Sequence, residues 1–241
     1  MKNFLLLIFF CSVSTAFSQI TYKDLKSQKL GETRQLKIQL PRNYDDNPEK
    51  SYPVIVVFDG DYLFEPVAGN VDYYTYWEEM PPVIVVGINQ DNSRENDTFY
   101  DDVNYFPAES GAAFFEFVGL ELMPFLDENY RTTNFRVAVG HDLTANFMNF
   151  YLMKDPVLFQ GLISLSPDLS SKMEERIPSR LSAIDQKLFY YLATGTDDIS
   201  VLRDPILELN SQIKQIENDN LQYNFDNFQG ATHYSLVGRA I

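Results

Sequence analysis

Cysteine is almost absent from this chain. Cys11 is the only one among 241 residues. A fold held together by disulfides is therefore excluded, and so is a zinc site built from several thiolates. Stability has to come from an ordinary hydrophobic core, and a chain of this length can bury one.

Basic residues are also scarce. Nineteen Lys and Arg stand against 34 Asp and Glu, which gives a formal net charge of -15 at pH 7. A surface this acidic repels phosphate backbones and anionic lipid headgroups. We therefore expect no nucleic-acid partner.

Long hydrophobic runs are missing except at the N-terminus. Residues 4–10 (FLLLIFF) follow Lys2 and precede two small residues, Ala16 and Ser18, a pattern typical of a secretory signal cleaved before Gln19. The run is too short to span a bilayer. We predict a signal peptide over residues 1–18, one domain over residues 19–241, no membrane span, and export to the periplasm or medium.

Short hydrophobic runs alternate with helical patterns along the rest of the chain. Strands are predicted at residues 35–40, 52–58, 83–88, 135–139, 161–165, 188–193 and 221–225. Helices are predicted at residues 111–126, 143–154 and 204–217, and the last residues resemble a further amphipathic helix that is cut short. This alternation predicts an α/β fold with a mostly parallel central sheet and helices on both faces.

A serine is missing from the most informative segment. Residues 136–139 predict a strand, Gly140 begins a sharp turn, and a helix is predicted from Leu143. This is the layout of a nucleophile elbow, whose usual sequence is G-x-S-x-G. Asp142 stands where the serine is expected, and Thr144 where the second glycine is expected.

Other candidate site residues follow later predicted strands. Asp197 and Asp198 come after the strand at 188–193, and His233 comes after the strand at 221–225. Ligands of open α/β sheets bind at the carboxyl ends of the strands. The order Asp142, then Asp197 or Asp198, then His233 is that of nucleophile, acid and histidine in α/β-hydrolases.

These features, in this order, resemble the Putative esterase family of α/β-hydrolases, which includes esterase D and the enterobactin esterases. The resemblance is carried by residues 52–60 (YPVIVVFDG), 82–88 with Arg94 and Asp97 after them, 114–131, 136–141, 159–168 (FQGLISLSPD) and His233. It implies an α/β-hydrolase fold, a Ser–acid–His triad, a small ester-like or thioester ligand, and no cofactor or metal. It also implies an oxyanion hole of two backbone N–H groups, here those of Asp61 and Leu143.

The aspartate at the elbow changes what this resemblance implies. A carboxylate is a poor nucleophile toward esters, and its charge opposes a developing oxyanion nearby. We therefore interpret the chain as carboxylic ester hydrolase-like, with a degenerate or altered nucleophile elbow at Asp142. The alternative from another class is a non-catalytic protein that binds a ligand on the same scaffold.

Two other chemistries stay open. Haloalkane dehalogenases and epoxide hydrolases carry an aspartate nucleophile at the elbow, but they also need a halide-binding tryptophan or cap tyrosines, and Trp77 is the only tryptophan. Alternatively, Asp142 and His233 position a water or, with Asp197 or Asp198, hold a metal, although their spacing matches no common ligand set.

Three further polar residues are expected to have structural roles. His141 is expected to pack and hydrogen-bond under the turn. Arg94 and Asp97 are expected to brace the long polar loop at residues 91–110. The sequence does not indicate an oligomeric state.

Overall fold

The structure is a computed structural model that describes residues 20–101, 103 and 105–241. The predicted signal peptide, residues 1–18, lies outside the described residues. The strands are β1 (Ile20–Lys26), β2 (Thr33–Gln39), β3 (Tyr52–Val57), β4 (Ile84–Ile88), β5 (Thr132–His141), β6 (Gly161–Leu165), β7 (Leu188–Gly195) and β8 (Leu221–Phe228). The helices are α1 (Phe64–Tyr76), α2 (Arg94–Asp97), α3 (Glu109–Phe117), a π-helix (Val118–Leu122), α4 (Met123–Asn129), α5 (Leu143–Leu152), α6 (Ser171–Ala183), α7 (Ser200–Ile213) and α8 (Val237–Ala240).

The eight strands form one sheet in the order β1-β2-β4-β3-β5-β6-β7-β8. Strands β3 to β8 run parallel, whereas β1 and β2 form an antiparallel edge. The predicted mostly parallel sheet is therefore confirmed. Within the described part of the chain, no helix has the length and apolarity needed to cross a bilayer.

Both faces of the sheet are covered, as predicted. Successive residues of β3 point to opposite faces, so Val54 packs into one core cluster and Ile55 into the other. Helices α3 to α7 contribute to the first cluster, which contains Phe114 and Phe147. Helices α1 and α8 contribute to the second, smaller cluster, which contains Phe64.

The sequence prediction missed two kinds of element. Strand β1 is an edge strand whose side chains are mostly exposed, so its sequence lacks the hydrophobic pattern of the buried strands. Helices α1 and α6 were also not predicted, and α6 has a proline inside it. The helix predicted at residues 111–126 exists, but the π-helix separates α3 from α4 within it.

The order of the strands determines where a site can form. The chain passes from β3 to β4 on one side of β3, and then returns to β5 on the other side. Loops that leave adjacent strands in opposite directions open a crevice at the carboxyl ends of those strands. In this fold the crevice lies between the loop after β3 and the turn after β5, which contains Asp142.

Candidate functional site

A tight strand-to-helix turn presents Asp142 at the end of β5. Its backbone has φ 59° and ψ -120°, a conformation that costs energy for any residue with a Cβ atom. Gly140 permits the close packing beneath it, because a Cβ at Gly140 would lie 2.9 Å from the backbone of Thr144 and Ala145. The turn therefore has the strained geometry of a nucleophile elbow.

Thr144 is accommodated inside the turn. It is fully buried, and its hydroxyl accepts a hydrogen bond from the His141 amide at 3.1 Å. The same hydroxyl lies 2.7 Å from Asp59 Oδ2 and 2.9 Å from the His141 carbonyl oxygen, to either of which it can donate its one hydrogen. Thr144 thus ties the elbow to the loop after β3.

His233 and Asp198 form a buried pair behind the elbow. His233 Nδ1 lies 3.0 Å from Asp198 Oδ1, and the Asp198 side chain is 0% exposed. That carboxylate also accepts hydrogen bonds from the Ser166 hydroxyl, the Thr194 hydroxyl (3.0 Å) and the Ile199 amide (2.7 Å). Burial opposes ionisation of Asp198, but these donors outweigh it and hold the Asp198 pKa below its ordinary value.

Asp197, the other candidate acid, points away from this pair. It is exposed, and its carboxylate accepts a hydrogen bond from the neighbouring Thr196 hydroxyl at 3.1 Å. Of the two adjacent aspartates, the structure therefore brings only Asp198 to His233.

His233 reaches Asp142 with its other ring nitrogen. Because a carboxylate only accepts, Nδ1 facing Asp198 carries the hydrogen, and Nε2 faces Asp142. Nε2 lies 3.6 Å from Asp142 Oδ1, which is within ion-pair range but too long for a hydrogen bond. The two residues thus lie close together at the carboxyl ends of β5 and β8.

Sequence reasoning did not predict the contact between Arg94 and Asp142. Arg94 was expected to brace its own loop, but its Nη1 donates to Asp142 Oδ2 at 3.1 Å. It also donates to both Asp59 oxygens, at 2.7 and 3.2 Å, and to the His141 carbonyl oxygen at 3.0 Å. Desolvation works against its charge, but the bonds to Asp59 prevail and raise the Arg94 pKa. One permanent cation therefore joins two carboxylates, and no sequence spacing signals it.

Asp97, by contrast, has the bracing contacts that were expected. Its carboxylate accepts two bonds from Arg34, at 2.5 and 3.0 Å, and further bonds from Gln90 (3.0 Å) and Ser93 (2.8 Å). Gln90 also accepts a bond from the Asp59 amide at 2.9 Å, so this network connects to the floor of the site.

His141 is enclosed beneath the turn. Its Nε2 lies 3.0 Å from the His233 carbonyl oxygen and its Nδ1 lies 2.9 Å from Tyr62 Oη. A carbonyl oxygen only accepts, so Nε2 carries the hydrogen and Nδ1 is left as an acceptor. The Tyr62 hydroxyl can donate its one hydrogen either to this Nδ1 or to Asp59 Oδ2 at 3.1 Å. Burial, reinforced by the nearby His233, lowers the His141 pKa to about 4. A neutral His141 therefore fixes the backbone of the His233 loop.

The two amides expected to form an oxyanion hole are available. Among the described residues, no hydrogen-bond acceptor is found for the backbone N–H of Asp61 or of Leu143. The Asp61 carbonyl oxygen accepts from Lys37 Nζ at 3.3 Å, and its carboxylate accepts from the Gln90 amide at 3.2 Å. These contacts fix the peptide chain around the Asp61 amide.

Asp168 adds a fourth carboxylate near the elbow. Its amide donates to the Asp142 carbonyl oxygen at 3.2 Å. Burial and the negative charge of Asp142 raise the Asp168 pKa. Across the described ranges, no group of three or more His, Cys, Asp or Glu side chains has the geometry to hold a metal ion.

Comparison with known proteins identifies the family. The Putative esterase family matches residues 27–235. The uncharacterized protein YjcH of Bacillus subtilis is 25% identical over 218 residues, which cover 86% of this chain and 88% of YjcH.

Solved structures share the fold. An uncharacterised protein from Capnocytophaga ochracea superposes with a TM-score of 0.83 at 26% identity, covering 92% of this chain but only 61% of that protein. The BES protein from Bacillus cereus has a TM-score of 0.79 at 21% identity, and the match covers 99% of this chain and 96% of the BES protein. An IroE-like serine hydrolase from Shewanella oneidensis has a TM-score of 0.80 at 22% identity, covering 92% of this chain and 77% of that protein. This chain belongs to the Putative esterase family of the α/β-hydrolase superfamily.

Proposed function

We propose that this chain is an exported, carboxylic ester hydrolase-like protein that binds a small ester-like molecule but forms no acyl-enzyme, because Asp142 occupies the place of the serine nucleophile. The observation that carries this proposal is the setting of the Asp142 carboxylate. It lies between Arg94 Nη1 at 3.1 Å and His233 Nε2 at 3.6 Å. The signal peptide predicted over residues 1–18 supports export.

The rest of the hydrolase machinery supports ligand binding at this place. His233 and Asp198 have the contacts of a histidine–acid pair, and the amides of Asp61 and Leu143, which have no acceptor in the described part of the chain, could bind a ligand oxygen. Backbone donors do not depend on the side chain at the elbow. A carbonyl-bearing molecule can therefore be held even where serine chemistry is lost.

Three features of Asp142 argue against acyl transfer. Its pairing with Arg94 withdraws electron density from the attacking oxygen. Attack on an ester carbonyl would give a mixed anhydride, which is higher in energy than the serine ester. Finally, if another group attacked the ester instead, the unreacted Asp142 carboxylate would place a negative charge about 4 Å from the oxyanion, at a cost of about 4 kcal/mol for an effective dielectric constant near 20.

One observation favours a second candidate, an aspartate nucleophile that attacks saturated carbon. His233 and Asp198 lie beside Asp142, where a histidine could activate water. An Asp142 oxygen would form a C–O bond while halide leaves, or while an epoxide C–O bond opens and its oxygen takes a proton from water. His233 would then deprotonate a water that attacks the Asp142 carboxyl carbon. The protonated His233 would return that proton to the departing alkoxide, which leaves as the alcohol, and the Asp142 carboxyl group would lose its proton to solvent.

The variant Asp142→Ser tests both candidates. Serine restores a hydroxyl near His233 and removes the opposing charge, while Arg94 keeps its two bonds to Asp59 and therefore its position. We expect kcat/KM for 4-nitrophenyl acetate to exceed the wild-type value by about tenfold or more, a gain of at least 1.4 kcal/mol. Adding Asp198→Asn should remove this gain, and the matched control Asp197→Asn should leave it intact.

Other results would contradict or change the proposed function. Wild type that cleaves the ester as fast as Asp142→Ser would contradict the proposal. Wild type that opens an epoxide or releases halide, with the activity lost in Asp142→Ser, would establish the aspartate nucleophile instead. A folded Asp142→Ser variant with no gain on acyl esters would show that the site does not belong to an ester hydrolase.

A further inference from the structure

A large cavity lies at the opposite end of the sheet from Asp142. Its volume is about 710 Å³, within the range of small-molecule sites. Arg136, which lines it, precedes Asp142 by six residues along β5, and six strand residues span about 20 Å. The cavity is therefore separate from the elbow. We propose that it is a second binding site, for an amphipathic carboxylate with a flat or elongated apolar body.

The apolar part of the cavity is built from aromatic and aliphatic side chains. Phe115 and Tyr151 stack with ring centroids 4.3 Å apart and planes only 12° from parallel. Leu120 and Leu158 also line the cavity, and Leu120 remains 61% exposed. A stacked aromatic pair beside uncovered aliphatic surface suits a flat apolar body, because both gain from leaving water.

The π-helix contributes a glycine to this lining. Gly119 lies inside a helix, where glycine costs about 1 kcal/mol relative to alanine. Nothing in the fold requires it, since the nearest atom to an added Cβ would be Leu158 Cδ2 at an ordinary 4.0 Å. A bare backbone that faces a cavity permits close approach of a ligand. π-Helical turns are frequent at functional sites for related reasons.

The polar part of the lining includes several donors. Lys154 Nζ lies 5.0 Å from the centre of the Phe115 ring, and in the described part of the chain it has no carboxylate partner. Arg136 pairs with Asp127 at 2.6 Å. Gln160 accepts from the Arg136 amide with Oε1, which leaves its NH₂ group as a donor.

The charge of this lining is the reason for expecting a negatively charged ligand. The whole chain carries a net charge of -15, whereas this lining keeps one positive charge: Arg136 is paired with Asp127, and among the described residues Lys154 has no carboxylate partner. Among the described residues that line the cavity, Glu116 is the only acidic one, and it is paired with Lys29 at 2.7 Å. A carboxylate placed near Lys154 and Gln160 would find a cation and an amide donor.

Fluorescence anisotropy of 1-pyrenebutyrate tests the proposal, with 1-pyrenebutyramide as the neutral match. Wild type should bind the carboxylate saturably. Lys154→Gln should weaken carboxylate binding by about fivefold, the value of one accessible ion pair, and should leave amide binding unchanged. Gly119→Leu should abolish binding of both probes by filling the cavity.

Matched controls separate the cavity from general effects. Gly69 is likewise a helical glycine with nothing within 4 Å of an added Cβ, and Lys172 is a surface lysine. Gly69→Leu and Lys172→Gln should bind as wild type does, and so should His233→Ala, because the elbow is not involved.

Four outcomes would overturn the proposal: no saturable binding by wild type, equal affinity for acid and amide, unchanged binding by folded Gly119→Leu, or loss of binding in His233→Ala. Thermal melts establish that each variant is folded. If Gly119→Leu does not fold, the proposal is tested by Lys154→Gln alone. An unchanged affinity of Lys154→Gln for the carboxylate would then overturn the proposal.

Discussion

A single guanidinium joins two carboxylates at the centre of the candidate site. Arg94 donates to buried Asp59 and to Asp142, so the elbow carboxylate is held in one orientation. A serine at position 142 would offer Arg94 no charge, whereas Asp59 would still anchor it. Asp142 therefore adds one ion pair, and the position of Arg94 does not depend on that pair.

His141 gives a prediction of pH-dependent stability. Its pKa of about 4 in the folded state lies below the ordinary value of 6.5, chiefly because of burial. Between these two values the unfolded chain binds a proton that the folded chain does not, so stability decreases as the pH falls from about 6.5 to 4. This loss is about 3 kcal/mol when fully developed.

The variant His141→Gln isolates this effect, because Gln can still donate to the His233 carbonyl but does not titrate. Its free energy of unfolding should be less pH-dependent than that of wild type over the same interval, measured by urea denaturation. Asp59 and Asp168 have raised pKa values, so their contribution to stability changes with pH in the opposite direction. Because both residues are present in wild type and in the variant, their contribution cancels in the comparison. Equal slopes would contradict the neutral, buried state of His141.

At the scale of residues, the sequence indicated which residues belong to the candidate site, but not which of them contact one another. The elbow and His233 follow from strand ends and chain order. The choice between Asp197 and Asp198 depends on how the turn after β7 is directed, and adjacent residues carry no signal of that. The role of Arg94 was not predicted, since 48 residues separate it from Asp142.

At the scale of elements, the contacts within the turn between β5 and α5 contradict an expectation from the family pattern. That pattern has a small residue at position 144, so glycine at this position would be expected to increase the esterase activity of the Asp142→Ser variant. The buried Thr144 hydroxyl instead bonds to the elbow backbone and lies 2.7 Å from Asp59. Thr144 is thus part of the support for the turn.

We therefore predict that Thr144→Val, which keeps the shape but removes the hydroxyl, lowers the free energy of unfolding by about 1–3 kcal/mol. Thr144→Gly should cost more, because glycine also adds backbone freedom at the start of a helix. In the Asp142→Ser background, Thr144→Gly should reduce esterase activity. Urea denaturation and 4-nitrophenyl acetate kinetics measure the two effects, and a gain in activity would restore the expectation from the family pattern.

The buried strands were predictable because their hydrophobic runs are continuous. The strand predicted at residues 161–165 coincides with β6, and the core strands β3 and β4 differ by one residue at one end. Edge strand β1 and helix α6 were missed because neither has a hydrophobic run that separates it from a loop. The π-helix was also beyond prediction, since its sequence fits an ordinary helical pattern.

Across the whole molecule, the antiparallel edge of the sheet supports the site through α2. This short helix carries both Asp97, which pairs with Arg34 of β2, and Arg94, which reaches Asp142. Gln90 connects the same network to the Asp59 amide. A contact at the edge of the sheet therefore helps to position a cation at its centre.

This arrangement predicts a large effect for Arg34→Met. The change leaves the Asp97 carboxylate buried without its cation, and such a loss typically costs 3–5 kcal/mol. A second change, Asp97→Asn, should recover much of it, because an amide does not need a charged partner. The matched control is Lys29→Met, which breaks an exposed pair with Glu116 and should leave the unfolding midpoint nearly unchanged. Thermal melts of the four proteins measure these differences. Equal midpoints for Arg34→Met and Lys29→Met would mean that the edge of the sheet does not anchor α2, and that Arg94 is held only by its own bonds to Asp59, Asp142 and the His141 carbonyl oxygen.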